Sequence, residues 1–542
     1  MRFFSFLFTL SVGLQLTTYA QTLTTSNLPI VLINTNGQSI PDDPKLVCDL
    51  RIIDNGAGKR NNVTDKPSFT SKIGIELRGS TSQDFPKKPY GFELRDASGA
   101  NSVDASILGM PSEADWVLNA TYVDKTLIRE PLIYDLGRQI SKYYVPRYRY
   151  CELILNGKYE GLYILFEKIK RNKNRVDVSS IKKTDISGDA VTGGYIFKID
   201  KYTGEESRMW TSTKQTNGID VDIQIERPKI EDLTEEQFLY AKKFVTEFEN
   251  ALAGPKYQDA TVGYPKYIKE DSFVDYLLIN EICHNIDAYR LSTFFYKDRD
   301  SKDGRLVMGP IWDYNLAFGN VGYCQADLPE GWSFDFTRIC GDDVFEMPFW
   351  WDRLLTDKRF ANSVRSRYQG LRTNVLKTER IHAYIDSVAN VLTEARTRNF
   401  QRWDIIGVPI GPTHLLGQTY QEEINFLKSW VKKRLEWMDK AIVPFGSSVL
   451  GTELIPDFNV TLSPNPSTDN VTLRYNLSQR ATVQLLITDA AGRSVQRMTW
   501  PNQAAGDHEE TLPAHSLPTA PGTYILQLNA DGKPISRKMV RF

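Results

Sequence analysis

The stretch "HNIDAYRLSTFFYKD", residues 284–298, is followed at 309–315 by "GPIWDYN", so one Asp stands behind His-Asn-Ile and a second behind Trp. Between Asp287 and Asp313 the aromatic and β-branched residues read as a strand hairpin. Upstream, "DSFVDYLLINEIC" at 271–283 reads as an apolar helix that delivers His284 to Asp287 at its end. Two carboxylates separated by a hairpin can meet at one end of a cleft. Phosphoryl transfer requires such a pair: one Asp orients or deprotonates the acceptor hydroxyl, and the other holds the Mg²⁺ that bridges the phosphates. The plainer alternative is ion pairing, with Asp287 capping a helix end.

Phosphoryl transfer also needs cations around the transferring group. Candidates are Arg78, Lys87 and Lys88 in "RGSTSQDFPKK", with Glu167 and Lys168 on a later strand.

The 542-residue length predicts two or three folding units, and 41% hydrophobic with 25% charged residues is a globular composition. A formal charge of −1 argues against a broad nucleic-acid-binding surface. Arg2, the apolar run "FFSFLFTLSVGLQL" and the small residues of "TTYA" form the three-part pattern of an export signal over residues 1–20. Five cysteines are too few for a disulfide scaffold. Cys324 and Cys340 flank a loop and can pair outside the cytosol, whereas Cys283 lies in the apolar helix and reads as core. The five histidines are scattered and make no zinc motif.

Outward from the two aspartates, the first half reads as a sheet interrupted by one helix. "LPIVLINTNG" is a strand with an Asn-Gly turn, and Ile73, Ile75, Leu77 and Tyr90, Phe92, Leu94 alternate on two more. "DKTLIREPLIYDLGRQISKYY" reads as helical after Asp124. "YCELILNGKYEGLYILFEKIK" is a hairpin turning at Asn156-Gly157, and "TGGYIFKID" adds a strand. The next part is helical. Thr234 and Gln237 make a capping box, and Ile424, Leu427, Val431, Leu435, Met438 and Ile442 stripe a long helix stopped by Pro444. After "PFGSSVLGTELIPD" the chain changes to short alternating strands, which predicts a small β-sandwich without catalytic residues.

Six blocks now stand in order: "IELRGSTSQDFPKKPYGFEL", "DWVLNATYVDKTLIRE", "LILNGKYEGLYILFEKI", "GGYIFKID", "HNIDAYRLSTFFYKD" and "MGPIWDYNLAFGN". In that order they resemble the CotH family, the spore coat protein H-like atypical kinases, over roughly residues 28–445. The resemblance implies an α+β, atypical protein-kinase-like core using ATP and Mg²⁺ (or Mn²⁺) to phosphorylate Ser or Thr of a protein substrate. Asp287 would be the catalytic Asp and Asp313 the metal ligand. Lys87 or Lys88 would be the phosphate lysine, oriented by Asp124 or Glu130, with "LFEKI" beside adenine and Tyr163 as a stacking partner. The chain departs from ordinary protein kinases in having no GxGxxG loop and Ser292 five residues after Asp287. It has Asp313-Tyr314-Asn315 in place of DFG, which leaves Asn285 or Asn315 to complete the metal site.

The end of the chain, with "LSPNPSTDNVTLRYNL", "ITDAAGR", "LPTAPGTYILQL" and "ISRKMVRF", resembles the type A C-terminal sorting domain of the type IX secretion system. That implies outer-membrane secretion machinery as a partner and a secreted or surface location. The expected organisation is a signal at 1–20, a kinase-like domain at 21–445, a linker at 446–458 and an Ig-like sorting sandwich at 459–542. The rival reading is a surface adhesin that keeps the fold without catalysis.

Overall fold

The computed structural model describes residues 23–202, 208–216, 218–341, 343–413, 417–446, 460–477, 480–489, 493–530 and 533–542. The expected signal and nearly all of the expected linker lie outside these residues. The fold mixes helices and sheets and ends in a β-rich region. The contacts divide the chain into two compact units. One comprises residues 1–122, 147–168 and 388–408, and the other comprises 123–146, 169–387 and 409–542.

The first unit is a closed seven-stranded barrel, where the sequence suggests only a sheet. Ile30–Asn34 pairs antiparallel with Leu46–Ile53 on one side and parallel with Tyr148–Leu155 on the other, and that parallel pairing closes the ring. The strands Phe69–Leu77, Tyr90–Arg95, Asp115–Asn119 and Lys158–Glu167 complete it. Closure depends on contacts more than a hundred residues apart, which alternation cannot reveal. The alternation itself holds: Ile73, Ile75, Phe92, Leu94, Trp116 and Leu165 share one buried core. Each such side chain contributes roughly 1.5–3 kcal/mol when removed from water. The hairpin turns at Asn156 and Gly157, both with positive φ, as a two-residue turn between right-twisted strands requires.

In the second unit a five-stranded sheet runs in the order Met209–Thr211, Asp222–Arg227, Tyr195–Ile199, Thr293–Lys297, Val307–Met308. The "YIFKI" strand therefore belongs to this sheet and not to the barrel. Helix Glu235–Ala253 begins with the expected capping box. Helix Arg129–Ile140 begins five residues later than Asp124, because the Asp124 carboxylate accepts from the N–H groups of Thr126 and Arg129 and holds the intervening turn. Helix Glu270–Cys283 is buried at every position from Ser272 to Cys283, so it is a central helix with neighbours all round.

The β-rich end forms a three-stranded and a four-stranded sheet sharing one core, with Leu473, Val483, Leu485, Leu526 and Met539 among its buried residues. Cys324 and Cys340 form a disulfide, and Cys48, Cys151 and Cys283 are free and buried. Among the described residues no helix is long and apolar enough to cross a membrane.

Candidate active site

Helix Glu270–Cys283 ends because His284 adopts the left-handed conformation, φ 46°, so His284 and not Asp287 is the cap residue. Burial and the Arg434 charge push the His284 imidazole down to about 3. It is therefore neutral at physiological pH, and Nδ1 lies 2.9 Å from the Leu328 carbonyl. Asn285 is buried, and its Oδ1 accepts from the Asp287 N–H at 3.4 Å. The backbone carbonyl of Asp287 then accepts from the N–H groups of Arg290 and Leu291. This tight turn presents the Asp287 carboxylate with 16% of its side chain exposed.

Asp313, at φ 64°, is half-buried and is held from both sides of its backbone. The Tyr134 hydroxyl is hydrogen-bonded to the Asp313 backbone. The next N–H, of Tyr314, donates to Glu130 at 3.4 Å, and the Tyr314 hydroxyl donates to Asn280 at 2.9 Å. Two helices thus grip the residues around Asp313. The two acids are close enough to interact. Burial raises Asp287 to about 7, Arg290 opposes the rise, and the charges of Asp313 and Asp200 add to it, with Lys201 acting against them.

Asp200 is a member of this group that sequence reasoning missed. It follows strand Tyr195–Ile199, whose Ile199 pairs with Thr293, and its carboxylate accepts from the Lys201 N–H at 2.9 Å and from the backbone of Ser292. Its one signal was its place as the last residue of the "GGYIFKID" block. Ser292 occupies the position five after Asp287, and the structure places an Asp beside it.

Carboxylate and amide oxygens are the hard donors that suit Mg²⁺ or Mn²⁺, which take one or two protein carboxylates and fill the remaining positions with water and phosphate oxygen. Asp287 and Asp313 meet that requirement. Among the described residues no group of three or more His, Cys, Asp or Glu side chains forms a preassembled metal cage. Asn315 is half-buried near Asp313, and its carbonyl accepts from Asn320.

The barrel residues occupy different surroundings from those expected of a nucleotide site. Lys87 is buried, its ammonium donating to the Leu162 carbonyl and, at 2.9 Å, to Asn399, and it lies 4.6 Å from the Tyr163 ring centre. Gly161 makes the Asn399 approach possible, since a Cβ there would stand 2.6 Å from Asn399 Oδ1. Tyr163 lies in the barrel core with its hydroxyl on the Lys88 carbonyl. Lys87 and Tyr163 therefore face the barrel interior, where Lys87 is hydrogen-bonded to Leu162 and Asn399. Lys88 donates at 2.6 Å to the Gln83 carbonyl and thereby secures the Thr81–Asp84 turn. Arg78 and Lys168 are half-buried, while Glu167 is fully buried and bound to the Arg147 guanidinium at 3.0 Å. Asp124 is paired with Arg129 at 2.7 Å and Glu130 with the Tyr314 backbone, so both carboxylates are engaged in positioning their own unit.

Burial lowers Lys87 from 10.5 to about 7. Between those values the folded chain has released a proton that the unfolded chain keeps, so stability rises with pH across the window. Urea unfolding of the wild type should gain up to about 1.4 kcal/mol per pH unit from this group. Lys87→Met should lose that component of the slope, and parallel wild-type and variant curves between about pH 7 and pH 10 would refute it.

Residues 75–438 match the family model described as CotH kinase protein, and residues 461–541 match the secretion system C-terminal sorting domain. A search of the curated proteins finds no match. Among solved structures, the twitchin kinase region from C. elegans aligns over 96% of this chain and 99% of its own at 9% identity, with a TM-score of 0.13. At that score the likeness carries no structural argument.

Proposed function

The chain belongs to the CotH kinase family and carries a secretion sorting domain that directs it to the cell surface or the medium, and on that premise we propose that it is an exported kinase transferring the γ-phosphoryl group of ATP to Ser or Thr of protein substrates. The observation that supports this reading is the coupling of Asp287, raised to about 7, with Asp313 behind the same central helix. A carboxylate with that affinity for protons is a better general base than an ordinary Asp.

In this reading the acceptor oxygen attacks the γ-phosphorus, its proton passes to an Asp287 carboxylate oxygen, and the bond to the β-phosphate oxygen breaks to release ADP. Asp313 would hold the divalent cation, with Asn315, two residues on, and the buried Asn285, whose Oδ1 accepts from the Asp287 N–H, as the amides that would complete the site. A bound Mg²⁺ or Mn²⁺ supplies charge neutralisation for the phosphate oxygens. The buried neighbours of Asp287 keep its turn rigid, so that little reorganisation accompanies proton transfer.

The test is incubation of purified protein with labelled ATP, Mg²⁺ or Mn²⁺ and candidate surface proteins. Label on the chain itself or on a substrate, lost with Asp287→Asn, is the expected result. No transfer under any metal, with the protein folded, would overturn the kinase reading in favour of a binding protein.

The tail gives a separate prediction. Because the sandwich has its own core, deleting residues 459–542 should leave the melting temperature of the remaining chain and any transferase activity unchanged. In the native host the truncated form should collect in the periplasm. Equal amounts of both forms at the surface or in the medium would refute a sorting role.

A further inference from the structure

Arg290 stands three residues after Asp287 and is 2% exposed. A buried guanidinium must satisfy its charge and its donors locally. Its Nε donates to the Ile286 carbonyl at 3.1 Å, and its Nη2 lies 3.6 Å from Asp287 Oδ1. Its other groups face a different segment. Nη1 donates to Asp343 at 3.3 Å and to the Phe345 carbonyl at 3.4 Å, the guanidinium lies 4.0 Å from the Phe336 ring centre, and the Tyr323 hydroxyl is hydrogen-bonded to it.

Those four contacts straddle the Cys324–Cys340 disulfide. Tyr323 immediately precedes one cysteine. On the other side the Cys340 N–H donates to the Phe336 carbonyl at 2.8 Å, and the Asp343 N–H donates to the Cys340 carbonyl at 3.1 Å. The Phe345 N–H in turn donates to the Asp343 carboxylate at 2.9 Å. An unbroken path runs from the disulfide through Asp343 and Phe336 to Arg290, and from Arg290 to Asp287. The cross-link removes the freedom of a 16-residue separation whose two ends would otherwise move apart.

We infer that Arg290 is a positioning residue for Asp287, and that the Cys324–Cys340 disulfide acts on the site by holding the partners of Arg290 in place. The inference rests on the kinase reading above. It also makes the site depend on oxidation: in a reducing compartment the clamp opens, and after export it closes. Reduction by a dithiol such as dithiothreitol breaks the S–S bond, passes two electrons and two protons to the cysteine sulfurs, and leaves the reagent as a cyclic disulfide.

The experiment compares oxidised and dithiothreitol-reduced protein as wild type, Arg290→Met and Arg290→Lys. Misplacement of a catalytic group by about 1 Å costs on the order of 10²-fold. Oxidised Arg290→Met should therefore lose about 10- to 100-fold in kcat with the KM for ATP nearly unchanged, and Arg290→Lys should recover part of it. Reduction should lower wild-type kcat by a similar factor and leave Arg290→Met where it is, because the clamp is already gone. Wild-type kcat in Arg290→Met would overturn the inference, as would an equal further loss on reducing that variant. Amide hydrogen exchange over residues 285–291 decides the clamp without activity. Exchange should quicken on reduction and in Arg290→Met, and unchanged exchange in both would overturn it. If oxidised wild type transfers no phosphate, the kinase reading fails while the exchange result still stands.

Discussion

Asp287→Asn is expected to lower kcat for phosphoryl transfer by about 10²–10⁴-fold, the range supplied by a positioned general base. The amide keeps the shape of the turn at 284–291 but cannot take the acceptor proton. The same change should not lower the melting temperature at neutral pH. Burial holds Asp287 near 7 against an ordinary value of 3.8, so the folded state favours its neutral form. Its contribution to stability is complete below about 3.8 and is lost as pH rises through about 7. A neutral Asn escapes that loss. Activity falling with stability intact is the signature of a group kept for function. Retained transfer in Asp287→Asn, measured by single-turnover label, would remove Asp287 from the site. Asp313→Asn should instead weaken metal-dependent nucleotide binding, because a carboxylate that holds the cation acts already in the ground state.

The second large effect concerns stability. Arg434→Met is expected to destabilise the protein by about 3–5 kcal/mol, as breaking a buried ion pair from one side does. Arg434 and Glu281 are both 0% exposed, with Nη2 3.3 Å from Oε2. Arg434 also donates to the carbonyls of Glu281, Pro329 and Gly331. Glu281 accepts from Tyr289 and from the N–H groups of Ser333 and Phe334. Helix Tyr420–Ala441 is thereby fixed to the central helix and to the 328–334 segment. Burial already raises Glu281 to about 7 despite Arg434, and removal of the guanidinium takes away the largest force opposing that rise. The deficit of Arg434→Met should therefore shrink as pH falls toward about 7, because the variant's carboxyl takes up its proton before the wild type's, and should level off below about 7, where both are protonated. Urea unfolding at mildly alkaline and neutral pH measures both effects, and a deficit under about 1 kcal/mol would mean that the pair is a marginal contact.

Much of this architecture was legible because it is local. The capping box at Thr234 and Gln237, the Asn156-Gly157 turn and the alternation of Ile73, Ile75, Phe92 and Leu94 each follow from neighbours within a few residues. The two aspartates were legible as a pair through their place in ordered blocks. The burial of Lys87 was not legible, because a lysine within a polar, basic stretch ordinarily faces water, whereas here its ammonium is bonded by Asn399, far along the chain. Arg290 lay within the opening stretch yet carried no local signal, since its partners Phe336, Asp343 and Phe345 are some fifty residues away.

By itself the sequence determined the family, the sorting tail, the alternating strands and four of the helices, those beginning at Arg129, Glu235, Glu270 and Tyr420, but not the helices between Phe336 and Arg402. It also determined the order in which Asp287 and Asp313 follow one buried helix. Only the tertiary structure decided that seven strands close into a barrel, that Asp200 joins the two acids, and that a disulfide reaches Asp287 through Arg290. The physical reason is range. Backbone preference and hydrophobic period act over a few residues and are written in adjacent letters. Closure, desolvation and charge coupling arise between groups that the chain separates widely, and they acquire their strength only when folding excludes water from between them.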